Sequence, residues 1–233
     1  MRFALFCVFW ISALFAEPYL GFHGGYTFAM SLTDVQLAGT NLPPGTTSAP
    51  IQYNGSGMYG GVAGHFIDRY PWLGLALYID TFRMRQKREN LTVSTPAWGP
   101  ISALTLIQDV GDGYLRIIES DFLLMLRYPS PYFELYAGTG IAVVAAKRKL
   151  EKATTNGVTV VYNVSSHAIA PGLNGRLGVR LWKKYHFSPY AEWSITWSQL
   201  TFFPKGGASS SGISGIQGQY LVQTVLGGIS YVF

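Results

Sequence analysis

Serine and histidine side chains are the first candidates for chemistry in this sequence. Ser165, Ser166 and His167 are consecutive, and a hydroxyl beside an imidazole base is the pairing that nucleophilic catalysis requires. No residue stands at a spacing that assigns a third group to orient the base. His23 and His65 stand alone in other segments, where a histidine is more often a packed residue than a catalyst. The sequence therefore predicts no catalytic residue, and histidines without ligand spacing predict no metal site and no cofactor.

Charged residues at alternate positions of the predicted strands are the second group of candidate functional residues. They share those positions with Gly, Ala, Ser, Thr and Tyr, whereas the intervening positions hold Leu, Ile, Val, Phe and Trp. Alternate residues of a strand point to the same side of a sheet. Carboxylates and guanidiniums placed on one side can pair bidentately. His23 and His65 share this face. The charged set on it comprises Asp80, Glu119, Asp121, Arg127, Glu134, Arg176, Arg180 and Glu192.

Eight alternating segments must position these side chains. The alternation is cleanest in the third segment. There Leu73, Leu75, Leu77 and Ile79 lie on one face, and Gly74, Ala76, Tyr78, Asp80 and Phe82 lie on the other. Such a period of two is typical of a strand with two unlike faces. The predicted strands are roughly 19–30, 53–67, one from residue 72, 114–127, 132–146, 167–182, 188–203 and 217–233. In the second strand Met58, Val62 and Phe66 are assigned to the large apolar face, and they alternate with Tyr59, Ala63 and His65 on the other.

The N-terminus and the composition indicate export without a membrane helix. Residues 1–16 have a basic residue, an uncharged apolar run and a small residue at the end, which predicts a signal peptide ahead of one domain over 17–233. The single cysteine, Cys7, lies in that segment and excludes a disulfide from the exported chain. Charged residues are only 12% of the chain, aromatic residues 15%, and there are 27 glycines. An apolar exported chain with no later run long enough for a helix points to a membrane β-barrel.

The connections between the predicted strands alternate between long and short. The long ones are predicted as loops over 31–52, 84–113, 147–166 and 204–216. Outer-membrane barrels have long loops on the outside and short turns on the periplasmic side, with aromatic girdles at the interfaces. The aromatic residues that flank the short connections are Tyr70, Trp72, Tyr128, Tyr132, Trp182 and Tyr185.

The last segment carries the resemblance to a known family. It reads QGQYLVQTVLGGISYVF and ends in Tyr231-Val232-Phe233. With the eight-strand pattern over residues 17–233, it resembles the small bacterial outer-membrane barrels of the OmpA, OmpX and OmpW type. The resemblance implies an all-β, eight-stranded antiparallel transmembrane up-and-down barrel in the cell outer membrane. It also implies that Tyr231 and Phe233 form a signal read by the barrel-assembly machinery.

A soluble barrel is the structural alternative. Such a barrel buries its apolar face and shows charges to water, whereas here the less apolar face is small and suits a narrow interior. A charge facing lipid at the midplane costs about 2–4 kcal/mol for Arg or Lys, so the charges should turn inward. We therefore predict a network inside the barrel that joins Glu119, Glu134 and Glu192 with Arg127, Arg176 and Arg180.

Three functions remain open from the sequence. Paired charges that fill the interior favour a plugged barrel with a structural or surface-interaction role, since eight strands leave room for little besides side chains. A narrow pore for small ions or small apolar solutes is the alternative, and resemblance to the OmpW type would give Trp193 and Trp197 a place beside a lateral route. Some outer-membrane barrels are lipid-modifying enzymes with Ser and His on the wall, but the chain shows no arrangement that supports this.

The expected partners follow from the same interpretation. They are outer-membrane lipid, the barrel-assembly machinery and, through the four long loops, an extracellular ligand; no nucleic acid is expected, and the barrel is expected to be a monomer. Two basic clusters, Arg83-x-Arg85-x-Lys87-Arg88 and Lys147-Arg148-Lys149, begin long loops. They could meet anionic lipid headgroups or host polyanions, or serve as ordinary solvated loop roots, which is the interpretation we favour from sequence.

Overall fold

The computed structural model of the chain describes residues 17–39, 44–87, 89–96, 104–130, 132–155, 158–181, 186–204 and 213–233. The signal peptide predicted for residues 1–16 lies outside this part of the chain. No helix of the described residues is long and apolar enough to cross a membrane. The strands are β1 Pro18–Thr27, β2 Met30–Gly39, β3 Thr47–Ser48, β4 Ile51–Tyr53, β5 Ser56–Ile67, β6 Tyr70–Arg85, β7 Glu89–Thr95, β8 Leu104–Pro129, β9 Phe133–Thr155, β10 Val158–Leu181, β11 Phe187–Pro204 and β12 Ile213–Val232.

Eight of these strands close into a ring. Each pairs antiparallel with the next in the order β1, β5, β6, β8, β9, β10, β11, β12, and β12 returns to β1. These eight strands correspond one to one with the eight predicted from the alternating pattern. The all-β, eight-stranded antiparallel barrel is confirmed. Because the ring is closed, its strands leave no unpaired edge, as a membrane requires.

Three of the four connections predicted as loops differ from that expectation, because much of their length is strand. β2 and β4 overlap residues 31–52 and β3 lies within them. β7 lies within 84–113, while β9 and β10 pair with each other through most of 147–166. Only in the connection over 204–216 do most residues, 205–212, lie outside the described part of the chain. The glycines and prolines that suggested loops stand beside residues whose backbones still pair with neighbouring strands, and this pairing extends the sheet.

The extra strands, β2, β3 and β7, build a second ring on top of the first, at the end of the barrel away from the short turns. β2 pairs with β12, β3 pairs with both β2 and β7, and β7 pairs with β8. Above the level where β1, β5 and β6 end, the wall is therefore closed by β2, β3 and β7. β8 has 26 residues, far more than the about 9–11 that cross a membrane as a tilted strand. We call this second ring the upper barrel and the first ring the lower barrel.

The outer face of the lower barrel is apolar. Phe22 is 80% exposed, Phe122 60% and Ile141 61%, and no packing within the chain covers them. Leu20, Ile79, Leu124, Leu135, Leu173, Leu177, Trp193, Trp197, Leu221, Val225 and Ile229 also face outward. At the rim of the short turns Tyr70, Trp72, Tyr128 and Tyr132 are exposed, as an aromatic girdle requires; Trp182 and Tyr185 lie outside the described residues.

One strand has the opposite orientation to the sequence expectation. In β5, Met58, Val62 and Phe66 are buried inside the barrel, while Tyr59 is 67% exposed. His65 therefore lies on the outward side and does not share the face of His23. Five of the twelve residues of β5 are glycine or alanine, so neither face is clearly the larger. Pairing with β1 and β6 decides the orientation, since Val62 stands opposite Gly21 and Tyr78.

Candidate functional site in the barrel interior

Arg176 is the centre of the lower interior. It lies on β10 at an inward position and is 2% exposed. Its Nη2 donates to Asp80 Oδ2 at 2.5 Å and to Asp121 Oδ2 at 2.7 Å, and its Nη1 donates to Glu192 Oε2 at 3.3 Å. The guanidinium also lies over the ring of Tyr78, with Cζ 3.8 Å from the centroid. A buried charge needs this number of partners, because burial removes the water that would otherwise solvate it.

The contacts of this cluster cross the barrel from wall to wall. Tyr78 on β6 donates through its hydroxyl to Glu192 on β11 at 2.8 Å, and these two strands stand opposite one another in the ring of eight. Tyr136 on β9 donates to the same Glu192 oxygen at 2.6 Å. The lower interior is therefore bridged by side chains at this level.

A second cluster lies nearer the short turns and is centred on Glu134. Arg180 and Arg127 donate to its two oxygens at 3.1 and 3.0 Å, and Glu134 is fully buried. Arg127 also pairs with Glu17 at 2.5 Å. Arg127 lies over the ring of Phe66, with Cζ 3.8 Å from the centroid. Adjacent register explains the pairing, since Arg180 and Glu134 are direct cross-strand partners.

Glu119 lies above the first cluster and has a different environment. It accepts a hydrogen bond from Asn174 Nδ2 at 3.1 Å and another from the hydroxyl of Thr196. Asn174 Nδ2 also donates to Thr196 Oγ1 at 2.7 Å. Glu119 thus contacts neutral donors, where the sequence interpretation expected an arginine.

His23 joins the site from β1. Its Nε2 lies 2.5 Å from Asp80 Oδ1 and its Nδ1 lies 2.9 Å from the hydroxyl oxygen of Tyr190. His23 was placed on the inward face by sequence but was not assigned to the network. Tyr78, Tyr136 and Tyr190 were missed as well, although each shares the alternation of its charged neighbours. The signal that could have found them is a tyrosine on a face otherwise made of small and charged residues.

All eight charged residues predicted to face inward are buried: Asp80, Glu119, Asp121, Arg127, Glu134, Arg176, Arg180 and Glu192. Their grouping differs in detail from the six-residue network predicted from sequence. Asp80 and Asp121 are partners of Arg176, and Glu17 completes the cluster of Glu134. Whether this arrangement gates a path or fills the interior is a question of function.

The residues considered for nucleophilic chemistry do not converge. Ser166 is buried on the inward face of β10, whereas His167 is exposed on the outward face. Consecutive strand residues point to opposite sides, so Ser166 and His167 cannot act on one substrate. Ser165 lies on the side of His167, but its hydroxyl is buried and has no hydrogen-bond partner among the described residues. The described residues also contain no group of three or more His, Cys, Asp or Glu side chains placed to hold a metal ion.

The C-terminal residues form an aromatic cluster on the outer surface of the barrel, at the rim of the short turns. The ring of Tyr231 lies 4.9 Å from that of Phe233 and 5.0 Å from that of Phe187, centroid to centroid. The backbone N–H of Phe233 donates to the carbonyl of Pro18 at 3.0 Å. The last residue of the chain therefore joins the first strand and completes the closure of the ring.

A closed antiparallel ring with an apolar outer face and a charged, buried interior defines the class of small outer-membrane β-barrels, and the chain has this fold. The outer membrane protein OprG from Pseudomonas aeruginosa has the same fold, with a TM-score of 0.54 and 14% sequence identity over 94% of this chain and 97% of OprG. Neisserial surface protein A has a TM-score of 0.45 and 12% sequence identity over 93% of this chain and 97% of its own. Ail, the attachment invasion locus protein of Yersinia pestis, has a TM-score of 0.36 and 14% identity over 93% of this chain and 99% of its own. Identities this low show the fold alone. Comparison with family models and with curated proteins gave no match.

Proposed function

We propose that the protein is an integral outer-membrane barrel whose lumen is closed by charge pairing and whose role is structural or surface interaction. The observation that carries this proposal is the set of contacts from Arg176 to Asp80, Asp121 and Glu192, made by β10, β6, β8 and β11. Side chains that bridge four strands leave little room for a solute in an eight-stranded ring. The upper barrel is the part that would meet an extracellular ligand.

The outward face supports the proposed location. Leucine, isoleucine and phenylalanine side chains that are half or more exposed would be costly in water, whereas lipid solvates them. The proposal includes export and cleavage after residue 16. It also includes assembly directed by Tyr231 and Phe233, which close the ring against β1. Enzymatic activity is not proposed, because Ser166 lies on the opposite face of the wall from His167 and the hydroxyl of Ser165 makes no hydrogen bond to it.

Single-channel recording tests the closed lumen. The barrel is refolded in detergent, its folding is checked by heat-modifiable gel mobility, and its conductance is measured in a planar bilayer. We expect a folded but electrically silent wild type. Arg176→Ala removes the central guanidinium, so a variant that still folds should show current. Reproducible conductance steps in the wild type that change in Arg176→Ala or Glu134→Gln would instead support a conducting lumen.

A second candidate is a path or binding site for small apolar solutes, and the interior of the upper barrel favours it. Leu32, Val35, Leu200 and Phe202 line that interior and are buried. Trp193 and Trp197 face outward at 37% and 43% exposure, where they would border a lateral route. Uptake of an apolar compound into liposomes that contain the barrel, without ion current, would favour this function over the closed barrel.

A further inference from the structure

Basic residues that are far apart in sequence form one row across the outer wall. Arg83 on β6 stands opposite Arg116 on β8, Arg116 stands opposite Lys147 on β9, and Lys147 stands opposite His167 on β10. All four side chains are exposed. Neighbouring strands lie about 5 Å apart, so the row places three cations and an imidazole within roughly 15 Å. We call these four residues the basic row.

The basic row lies at the upper boundary of the apolar surface. Two positions below Arg116 on the same face is Ile118, and two below His167 is Ile169, which is 79% exposed. The apolar stretch of β8 runs from Ile118 down to Tyr128, which matches the about 9–11 residues that cross a membrane. A side chain directly above that stretch reaches the level of the lipid headgroups.

Among the residues that the structure describes, the cations of the basic row have no ion-pair partner. None of the ion pairs found among the described residues involves Arg83, Arg116 or Lys147. Like charges directly opposite on neighbouring strands repel each other. Arg83 is held in place instead by the ring of Tyr114, with Cζ 3.7 Å from the centroid. An arrangement of this kind needs an anion from outside the protein to become favourable.

The row is confined to one side of the barrel. At the same level the next strand, β11, presents Phe203, which pairs with His167 and is 64% exposed. On β12 the neighbouring outward residue is the neutral Gln217. A general attraction to a charged surface would not require cations on three consecutive strands, an imidazole on the fourth and no basic residue on the next two. The clustering favours a single binding place for one anionic group.

We propose that the basic row binds the phosphate of an anionic lipid headgroup in the leaflet that surrounds the upper boundary of the apolar surface. Arg83, Arg116 and Lys147 donate charge-assisted hydrogen bonds to the phosphate oxygens, and His167 lies at the edge of the site. The acyl chains of the same lipid lie against the apolar face below, beside Ile118 and Ile169. A soluble anion would gain the first set of contacts but not the second.

Native mass spectrometry of the folded chain in neutral detergent tests the site, with diphosphoryl lipid A as the probe. We expect Arg116→Ala/Lys147→Ala to weaken lipid A binding roughly 25-fold, because each cation near a membrane surface contributes about fivefold. Arg116→Lys/Lys147→Arg should bind as the wild type does. Arg69→Ala is the matched control, since Arg69 is also exposed and lies beside a tyrosine, Tyr70, at 5.8 Å, but on the short turn at the opposite rim.

Three results would overturn the proposal. They are unchanged lipid A binding in the double alanine variant, equal binding of lipid A without its phosphates, and full competition by inorganic phosphate or heparin, which would assign the row to soluble anions. If the double alanine variant does not fold, Arg116→Gln/Lys147→Gln replaces it. The proposal rests on the membrane location proposed above, but its failure is distinguishable, because heat-modifiable mobility and conductance report insertion and the lumen without reference to this row.

Discussion

Glu134 shows what a single residue contributes to the closed lumen. It accepts hydrogen bonds from Arg180 and Arg127 while fully buried. Glu134→Gln keeps the shape but leaves two guanidiniums without their shared counter-charge. Removing one partner of a buried pair costs about 3–5 kcal/mol. We therefore expect the variant to unfold at clearly lower urea concentration than the wild type in lipid vesicles.

Asp68→Asn is the control, because Asp68 is exposed on the turn between β5 and β6 and an exposed carboxylate contributes little to stability. An unfolding midpoint for Glu134→Gln equal to that of Asp68→Asn would contradict the role assigned to this cluster.

At the residue scale the sequence predicted which charges face inward but not which charges meet. Alternation alone placed Asp80 and Arg176 on the inner face, and their burial agrees. Their 2.5 Å contact joins residues on strands that are not neighbours, and it depends on the stagger of the whole ring. Glu119 illustrates the same limit, because its partners Asn174 and Thr196 are neutral and carry no charge pattern to be recognised.

At the scale of the strand, a glycine placed opposite an aromatic residue leaves room for the large side chain inside the narrow barrel. Tyr136 on β9 pairs with Gly178 on β10, and a Cβ on Gly178 would lie 2.5 Å from the tyrosine ring. Gly178→Val should therefore displace Tyr136 and break its hydrogen bond to Glu192. We expect a loss of about 1–3 kcal/mol, typical of overpacking, measured by urea unfolding in vesicles.

Gly175→Val is the matched control for that variant. Gly175 lies on the same strand but faces outward, and its Cβ would meet only the side chain of Ile195 at 3.6 Å. A valine there adds apolar surface facing lipid and should leave stability unchanged or higher. Equal destabilisation by the two variants would show that the effect comes from strand propensity rather than from the displaced tyrosine.

Strand existence could be predicted from sequence, whereas strand length and, in one case, orientation could not. β9 and β10 continue through most of the predicted loop 147–166 because their backbones go on pairing past the membrane boundary. The Lys147-Arg148-Lys149 cluster, predicted as a loop root, instead alternates in orientation: Arg148 is buried, while Lys147 is exposed. β5 was assigned the wrong way round because its glycines make both faces similar. In each case, pairing with neighbours supplied the information that the single segment lacked.

At the scale of the whole molecule, the polarity of the wall reverses along its length. The lower barrel is apolar outside and charged inside over most of its height, but at its upper end, beside the last residues of β6, the wall has Arg116 and Lys147 outside and Leu115 and Ile117 inside. The upper barrel continues this pattern, with Leu32 and Phe202 inside and Thr33 outside. β8 carries both patterns in one strand, with Glu119 facing inward just below Ile117. The upper barrel is thus built like a soluble barrel with its own apolar core, and the lower barrel like a membrane protein.

This division predicts that the two parts lose structure separately. Leu32 on β2 is fully buried in the upper core, and Leu→Ala in a core costs about 2–5 kcal/mol. Leu32→Ala should therefore raise amide hydrogen exchange in β2, β7 and the outer ends of β8 to β10, while exchange around Arg176 stays slow. Thr33→Ala, at the exposed neighbouring position, should change neither region. We expect the lower segments to be unaffected because lipid and the charge network hold them independently of the upper core. Faster exchange throughout β10, Arg176 included, would contradict this and mean that the two rings unfold as one unit.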